Sequence, residues 1–450
     1  MAGLVSLLGQ ALKRNFSLPA LLRAAYAAVA LTLSFYWLRA AGPELQIRSL
    51  HFPSDGFADW AGAKELAAGH NPYADDSLRR IGIAQGFGFG HPPTTLLWFL
   101  PFAHLDANTM KYAFTLMTLV MLWVHVVLIL QELRLPMWGV TAVLTISSVL
   151  NMTWMHVHLS QVDLSEMIAL LFVLSWWFLR RGRDAWAGIM AGLACTLKLY
   201  PGVLVVFFAL TQRWRALVAA VAVYLLFALE VVRRLGFKAY PEFFESTIGH
   251  ADRWVNSIRN ASISGIVQRL FYPAYAYPYG HALSPAGQLL AVLASAALVL
   301  LAWFVTWPAM RAGRSNPTAV DIPFAIMTIV ALAPGPYQWE HYNVTLLLPC
   351  FVLLATALHA RRPDGRRNWR TLGVTGVVLA AVWAMLDMNF WTRHDLPVQA
   401  QQNPALRNKM YWYEVTGWLP WVALLIALLV LCWRRYPPTL PWSRQPRPAQ

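Results

Sequence analysis

Residues 185–212 read AWAGIMAGLACTLKLYPGVLVVFFALTQ, and the topology of the whole chain turns on them. The stretch is apolar apart from Lys198, and it is flanked by Arg183 on one side and by Arg213 and Arg215 on the other. Basic flanks of short loops stay on the cytoplasmic side of a membrane, so the segment is expected to enter and leave on the same side. Each half holds only about eleven residues, too few to cross at 1.5 Å per residue. Pro201 lacks an amide hydrogen and disfavours helix at the residue before it. The reading is therefore two half-length helices meeting near Lys198-Leu199-Tyr200-Pro201.

The rest of the chain fits around that pair. Of its 450 residues, 58% are hydrophobic and 13% charged, with a mean hydropathy of +0.46. The charged share is about half of the roughly 25% usual for soluble domains. Candidate spans lie at 20–41, 107–131, 137–151, 163–180, 215–233, 283–307, 319–334, 343–360, 370–388 and 413–433. Windows of this kind suit a hydrocarbon core about 30 Å thick. With the half-helices counted as two, the chain is an all-α, polytopic membrane protein of about twelve helices, both termini cytoplasmic. On that parity the clusters Arg180/Arg181/Arg183, Arg311/Arg314, Arg361 to Arg370 and Arg434/Arg435 all fall inside. The net charge of +15 is then topological and implies no nucleic-acid partner.

Residues 92–105 must not cross, and are expected to form an amphipathic helix on the outer surface. The loops 42–106, 234–282, 335–342 and 389–412 then lie outside, residues 1–435 form one membrane domain, and 436–450 form a proline-rich cytoplasmic tail. The first helix is read as uncleaved. Cys195, Cys350 and Cys432 sit in apolar spans and imply no disulfide framework. No Walker A loop or glycine-rich turn after a strand is present, so a cytoplasmic nucleotide is not the expected donor.

The long polar segment from His51 to Pro93, HFPSDGFADWAGAKELAAGHNPYADDSLRRIGIAQGFGFGHPP, is the expected seat of chemistry, because loops of this length are usually functional or disordered. Asp55 can be read in two ways. A positioned carboxylate can take the proton from an attacking hydroxyl, and an aspartate before FADWAGAKELAAG can equally cap a helix. Asp59 is the runner-up base, read otherwise as a solvated acid. Lys198 is the one cation left inside the membrane, where an ionisable residue is a functional candidate by default. It could hold an anionic leaving group or snorkel to an interface. Gln161, Asp163 and Glu166 stand at the outer start of one helix, and the spacing of the two acids puts them on one face. No histidine follows at helical spacing, so no metal is expected. His341, Glu340 and Trp339 occupy the outer end of another span, as pocket residues or as members of the aromatic belt. Arg233, Arg234 and Lys238 cluster at an outer helix end, where they could meet a phosphate or lipid head groups.

Together these stretches resemble glycosyltransferase family 87, polyprenyl-phosphate-mannose-dependent mannosyltransferases of the GT-C superfamily. The resemblance is carried by Asp55, Ala61, Ala63, Leu66, Gly69 and Asn71-Pro72-Tyr73, then His91-Pro92-Pro93 and Ser160-Gln161-Val162-Asp163. It continues through Arg180, Ala187-Gly188, Gly192, Lys198, Pro201 and Arg213-Trp214-Arg215. It ends with Asn260-Ala261-Ser262, Arg269-Leu270 and Pro336-Tyr337-Gln338-Trp339-Glu340-His341-Tyr342. It spans roughly residues 20 to 360. Ala261 stands where the family has glutamine, Tyr342 where it has a second histidine, and Asp163 where it has asparagine.

The resemblance implies transfer of a hexose, mannose by preference, from a polyprenyl-phosphate-linked sugar to a lipid or glycan acceptor. The reaction would run with inversion on the outer face of the plasma membrane, with Asp55 as base and no cofactor. Donor phosphate or sugar contacts are expected from Lys198, His341, Gln161, Asp163, Asn260, Ser262, Glu340, Asp59, Tyr73, Arg233 and Arg234. The rival reading is a transporter or flippase of lipid-linked sugar. Such proteins carry broken helices in both halves, and only one is visible here.

Overall fold

The computed structural model describes residues 24–29, 31–32, 55–74, 91–245, 255, 257, 260–271, 283–360, 365, 368–388 and 403–437. Most of the expected span 20–41, parts of the loops 42–106 and 234–282, more than half of the loop 389–412 and nearly all of the tail 436–450 lie outside these residues. The described residues contain helices and no strands. In chain order they are α1 (Asp55–Ala67), α2 (Leu96–Phe99), α3 (Ala107–Glu132), α4 (Trp138–Asn151), α5 (Thr153–Gln161) and α6 (Ser165–Arg180). Then follow α7 (Asp184–Leu197), α8 (Gly202–Leu210), α9 (Trp214–Leu235), α10 (Ile263–Phe271), α11 (Pro285–Ala312) and α12 (Asp321–Leu332). The last three are α13 (Leu347–His359), α14 (Trp369–Met388) and α15 (Pro404–Arg435). Among the described residues, 6 helical segments are long and apolar enough to cross a membrane, while α4, α7 and the 317–332 segment are shorter apolar helices. The expected count of about twelve, which included the two half-length helices, is not confirmed among the described residues.

The broken pair forms where expected. Helix α7 ends at Leu197, Lys198 is extended (φ −146°, ψ 159°), and α8 begins at Gly202 after Pro201. The two outer ends of the pair meet, since Arg213 Nη1 donates to Asp184 Oδ1 at 2.6 Å. The pair therefore returns to the side from which it started. At that end Arg180 and Arg181 also bind Glu132, at 3.3 and 2.8 Å, and Arg180 lies 3.4 Å from Asp321. These ion pairs fasten α3, α6 and α12 together, so the arginines are structural as well as topological. Sixteen residues of α6 separate them from Asp163, about 24 Å at helical rise. The chain thus has a basic end and a carboxylate end.

Helix α7 packs along α9 at close range. A Cβ on Gly188 would run into the backbone carbonyl of Ala216, and one on Gly192 into that of Ala220. Both pairs are spaced by four residues, the small-residue pattern that lets membrane helices approach. Gly188→Val is expected to separate the two helices at a cost of about 1–3 kcal/mol or more, as overpacking does. The thermal midpoint in detergent should fall measurably. An unchanged midpoint would show that the contact carries no packing energy.

Residues 92–105 do not form a surface amphipathic helix. They make two short 3-10 turns, Pro93–Thr95 and Leu100–Phe102, around α2, and much of the segment is buried. The reason lies at the end of α7, whose last carbonyls have no intrahelical donors. The Thr94 hydroxyl donates to Thr196 O at 2.7 Å and the Thr95 hydroxyl to Leu197 O at 2.8 Å. The Trp98 indole donates to the Thr196 hydroxyl at 2.9 Å. The segment is drawn inward as the cap of the broken helix.

Candidate active site

The site is assembled from four places in the sequence. Helix α1 brings Asp55 and Asp59, the segment before α2 brings His91, the α5–α6 turn brings Asp163, and the break after α7 brings Lys198. Helix α1 is seated by the Trp60 indole, which donates to Phe102 O at 3.0 Å. A small apolar cluster of Leu66, Tyr73, Leu96, Val231, Ala239 and Phe243 packs its far end against α9. Gly56 lies so close to Val162 that a Cβ there would overlap its carbonyl oxygen. The missing side chain lets the start of α1 settle against the turn that carries Asp163.

That turn is strained. Val162 has φ 55° and ψ 44°, a left-handed conformation that is a genuine outlier for a β-branched residue. Such strain costs on the order of 1–3 kcal/mol and gathers at functional sites. It reverses the chain after α5, so that Asp163 faces inward. Its carboxylate then becomes the centre of the site. Oδ1 accepts from the Ser165 amide at 2.6 Å and lies 3.4 Å from His158 Nδ1. Oδ2 accepts from Lys198 Nζ at 2.7 Å and lies 3.4 Å from His341 Nε2.

Lys198 is therefore not an unpaired cation in the membrane. Its ammonium is held by Asp163 and lies 4.2 Å from the ring centre of Tyr342, within cation–π range. Tyr342 stacks on Tyr200 at 5.4 Å. Tyr200 was not expected, although it neighbours Lys198 in sequence.

Asp59 is not solvated. It is buried, 1% exposed, and its Oδ2 lies 2.6 Å from His91 Nδ1. Burial alone would hold His91 below its usual range, but the Asp59 carboxylate overrides this and raises it. Asp59 is itself pushed up by burial, against the pull of His91. The Tyr73 hydroxyl donates to His91 O at 3.3 Å, and its amide donates to Asn71 Oδ1 at 3.1 Å. The Asn71 amide in turn reaches Glu242. Tyr73 thus braces the His91 backbone. Asp55 is exposed at the start of α1. One oxygen of Asp55, one ring nitrogen of His91 and one oxygen of Asp163 lie within 4.8 Å of one another. A histidine is thus brought to Asp163 from a distant part of the chain, although none follows it at helical spacing.

Other expected contacts lie elsewhere. Asn260 is fully buried, and its amide donates to Val255 O at 3.1 Å and to Pro336 O at 2.8 Å. Its Oδ1 accepts from the amides of Ser262 and Gln338 at 3.1 and 2.9 Å. The Ser262 hydroxyl donates to Pro336 O at 3.2 Å and accepts from the Gly265 amide. Both residues engage backbone, and they tie the 260–262 loop to the stretch leading into His341. Arg233 and Arg234 are engaged with Glu230, at 2.7 and 2.6 Å, on the surface of α9. Glu340 is buried at the start of the 340–346 3-10 turn, and Gln161 is half-buried at the end of α5. Sequence reading missed His158, 3.4 Å from Asp163, and His125, whose Nδ1 lies 3.0 Å from Glu166 Oε1 in a buried pair.

The family model of glycosyltransferase family 87 matches residues 89–334. The chain belongs to glycosyltransferase family 87. The match takes in His91, Asp163 and Lys198 but stops short of Asp55 and Asp59 on one side and of His341 on the other. This family 87 enzyme is 25% identical over 400 residues, 84% of each chain, to a polyprenol-phosphate-mannose-dependent alpha-(1-2)-phosphatidylinositol mannoside mannosyltransferase of Mycobacterium tuberculosis. It is 27% identical over 235 residues, half of each chain, to the corresponding pentamannoside mannosyltransferase of Mycolicibacterium smegmatis. Among solved structures, ArnT from Cupriavidus metallidurans bound to undecaprenyl phosphate covers 91% of the family 87 chain and 77% of its own. That likeness has a TM-score of 0.38 and 17% identity.

Proposed function

We propose that this glycosyltransferase moves a hexosyl group, mannosyl by preference, from a polyprenyl-phosphate-linked sugar to a hydroxyl of a lipid or glycan acceptor. The reaction runs with inversion on the outer face of the plasma membrane. The observation that carries this reading is the meeting of an exposed carboxylate, Asp55, with a buried ammonium–carboxylate pair, Lys198–Asp163, at the end of the molecule away from the arginine clusters. The relatives' dependence on polyprenol-phosphate-mannose supplies the donor class.

The acceptor oxygen attacks the anomeric carbon from the face opposite the phosphate. As that bond forms, its proton passes to Asp55, a step worth about 10²- to 10⁴-fold when a side chain is placed for it. The bond from the anomeric carbon to the phosphate oxygen breaks, and the electron pair leaves with the phosphate. Lys198 stabilises the charge that develops there. Asp163 holds the ammonium in place, and Tyr342 walls it from one side.

Membranes containing the protein, incubated with radiolabelled polyprenyl-phosphate mannose, should yield a labelled lipid or glycan that membranes lacking it do not. No labelled product would sink the donor assignment. The side is tested separately. Lys64 is exposed on α1, whereas Cys195, Cys350 and Cys432 are buried. Lys64→Cys should therefore react with an impermeant maleimide in intact cells against a low background. Protection until the cells are opened would place the site inside.

A further inference from the structure

We propose that His91 is a second, titratable cation of the donor-phosphate site, and that Asp59 positions it there. The proposal rests on the polyprenyl-phosphate donor reading and deepens it. Its starting point is charge. Asp55, Asp59 and Asp163 surround the site, and among the described residues whose side chains reach it Lys198 is the one group that is always cationic. The excess of carboxylate opposes an anionic sugar phosphate unless further positive charge is present.

Two histidines could supply it. His341 Nε2 stands 3.4 Å from Asp163 Oδ2, an oxygen already taken by Lys198 at 2.7 Å. His91 is better held. Its Nδ1 is committed to Asp59 at 2.6 Å with both side chains buried, a short charge-assisted geometry. Its backbone carbonyl is fixed by Tyr73, and the next residues but two, Thr94 and Thr95, are fastened to the end of α7 just before Lys198. With Nδ1 facing Asp59, Nε2–H is the donor left for a phosphate oxygen. The groups facing the ring are Asp59 and Asp55 from α1, Asp163 from the α5–α6 turn, and Lys198 from the break after α7. Three of these four favour the charged imidazole and one opposes it. The net direction is upward from the usual histidine range.

The sign of the pH dependence follows. Donor binding uses protonated His91, so kcat/KM for the lipid donor should fall on a basic limb lying above the usual histidine value of about 6.5. Removing Asp59 withdraws the carboxylate that sustains the charge, so Asp59→Asn should move that limb to lower pH by about one unit or more. His91→Gln should abolish the limb and lower kcat/KM for the donor by about tenfold or more, the size expected for one hydrogen bond to a charged group. His91→Arg carries a permanent charge and should recover part of the donor kcat/KM and keep it at high pH.

The experiment is the pH profile of kcat/KM for polyprenyl-phosphate mannose with wild type and these three variants in nanodiscs, each checked for a single folded species by gel filtration. A limb that stays in place in Asp59→Asn, or that survives in His91→Gln, overturns the proposal. Should Asp59→Asn fail to fold, persistence of the limb in His91→Arg overturns it equally. If wild type transfers from this donor and the variants leave its limb unmoved, the role of His91 alone is refuted. Wild type that transfers nothing from it refutes the donor reading as well.

Discussion

Asp55→Asn is expected to retain a folded protein and donor binding while losing two or more orders of magnitude in turnover, the range of about 10²–10⁴ typical of a placed proton acceptor. Asparagine has nearly the same shape and caps a helix about as well as aspartate, so a purely structural Asp55 would leave the variant nearly fully active. Two features of the fold sharpen the contrast. The side chain is exposed at the first turn of α1, where an incoming hydroxyl can reach it. The backbone beside it is fixed by the contact of Gly56 with Val162, so the substitution has little to rearrange. The measurement is single-turnover transfer with purified protein in nanodiscs. Lys64→Ala is the control, since it changes an exposed residue of the same helix that lies over Trp60. Full turnover by Asp55→Asn would remove Asp55 from the reaction, whatever the control shows.

Lys198→Met should have the second large effect, and on two observables at once. Lys198 and Asp163 are both buried, 4% and 2% exposed, and 2.7 Å apart. Deleting one partner of a buried pair leaves the other charge uncompensated and costs about 3–5 kcal/mol. The thermal midpoint should therefore fall steeply. Adding Asp163→Asn should restore much of it, because asparagine can still accept from the Ser165 amide without carrying a charge. Activity should not return in the double variant, because the ammonium proposed to meet the phosphate is still absent. A single variant as stable as wild type would show that the pair contributes nothing to the fold. A double variant with normal donor KM would separate Lys198 from the donor.

The sequence by itself determined the helical class, the broken pair at Lys198–Pro201 and the charge asymmetry of the two ends. These follow from local physics. Apolar windows seek lipid, a proline has no amide hydrogen to donate, and arginines resist translocation. It also placed Asp163, Lys198 and His341 among the candidates, because each sits beside or within an apolar run, and Asp55, because it opens the long polar segment between spans. What it could not supply was partnership. Asp59 and His91 are 32 positions apart and Asp163 and Lys198 are 35 apart, and no periodicity spans such gaps. Without its partner, Asp59 read as a solvated acid and Lys198 as an unpaired cation. For Asn260 and Ser262 the sequence showed a polar motif but not the Pro336 carbonyl that both of them hold. Residues 92–105 read as a surface helix because only the folded chain shows that α7 ends in uncapped carbonyls within reach of Thr94 and Thr95. The tertiary structure decided these points. A buried polar group must find a partner, and which partner is within reach depends on how the helices pack.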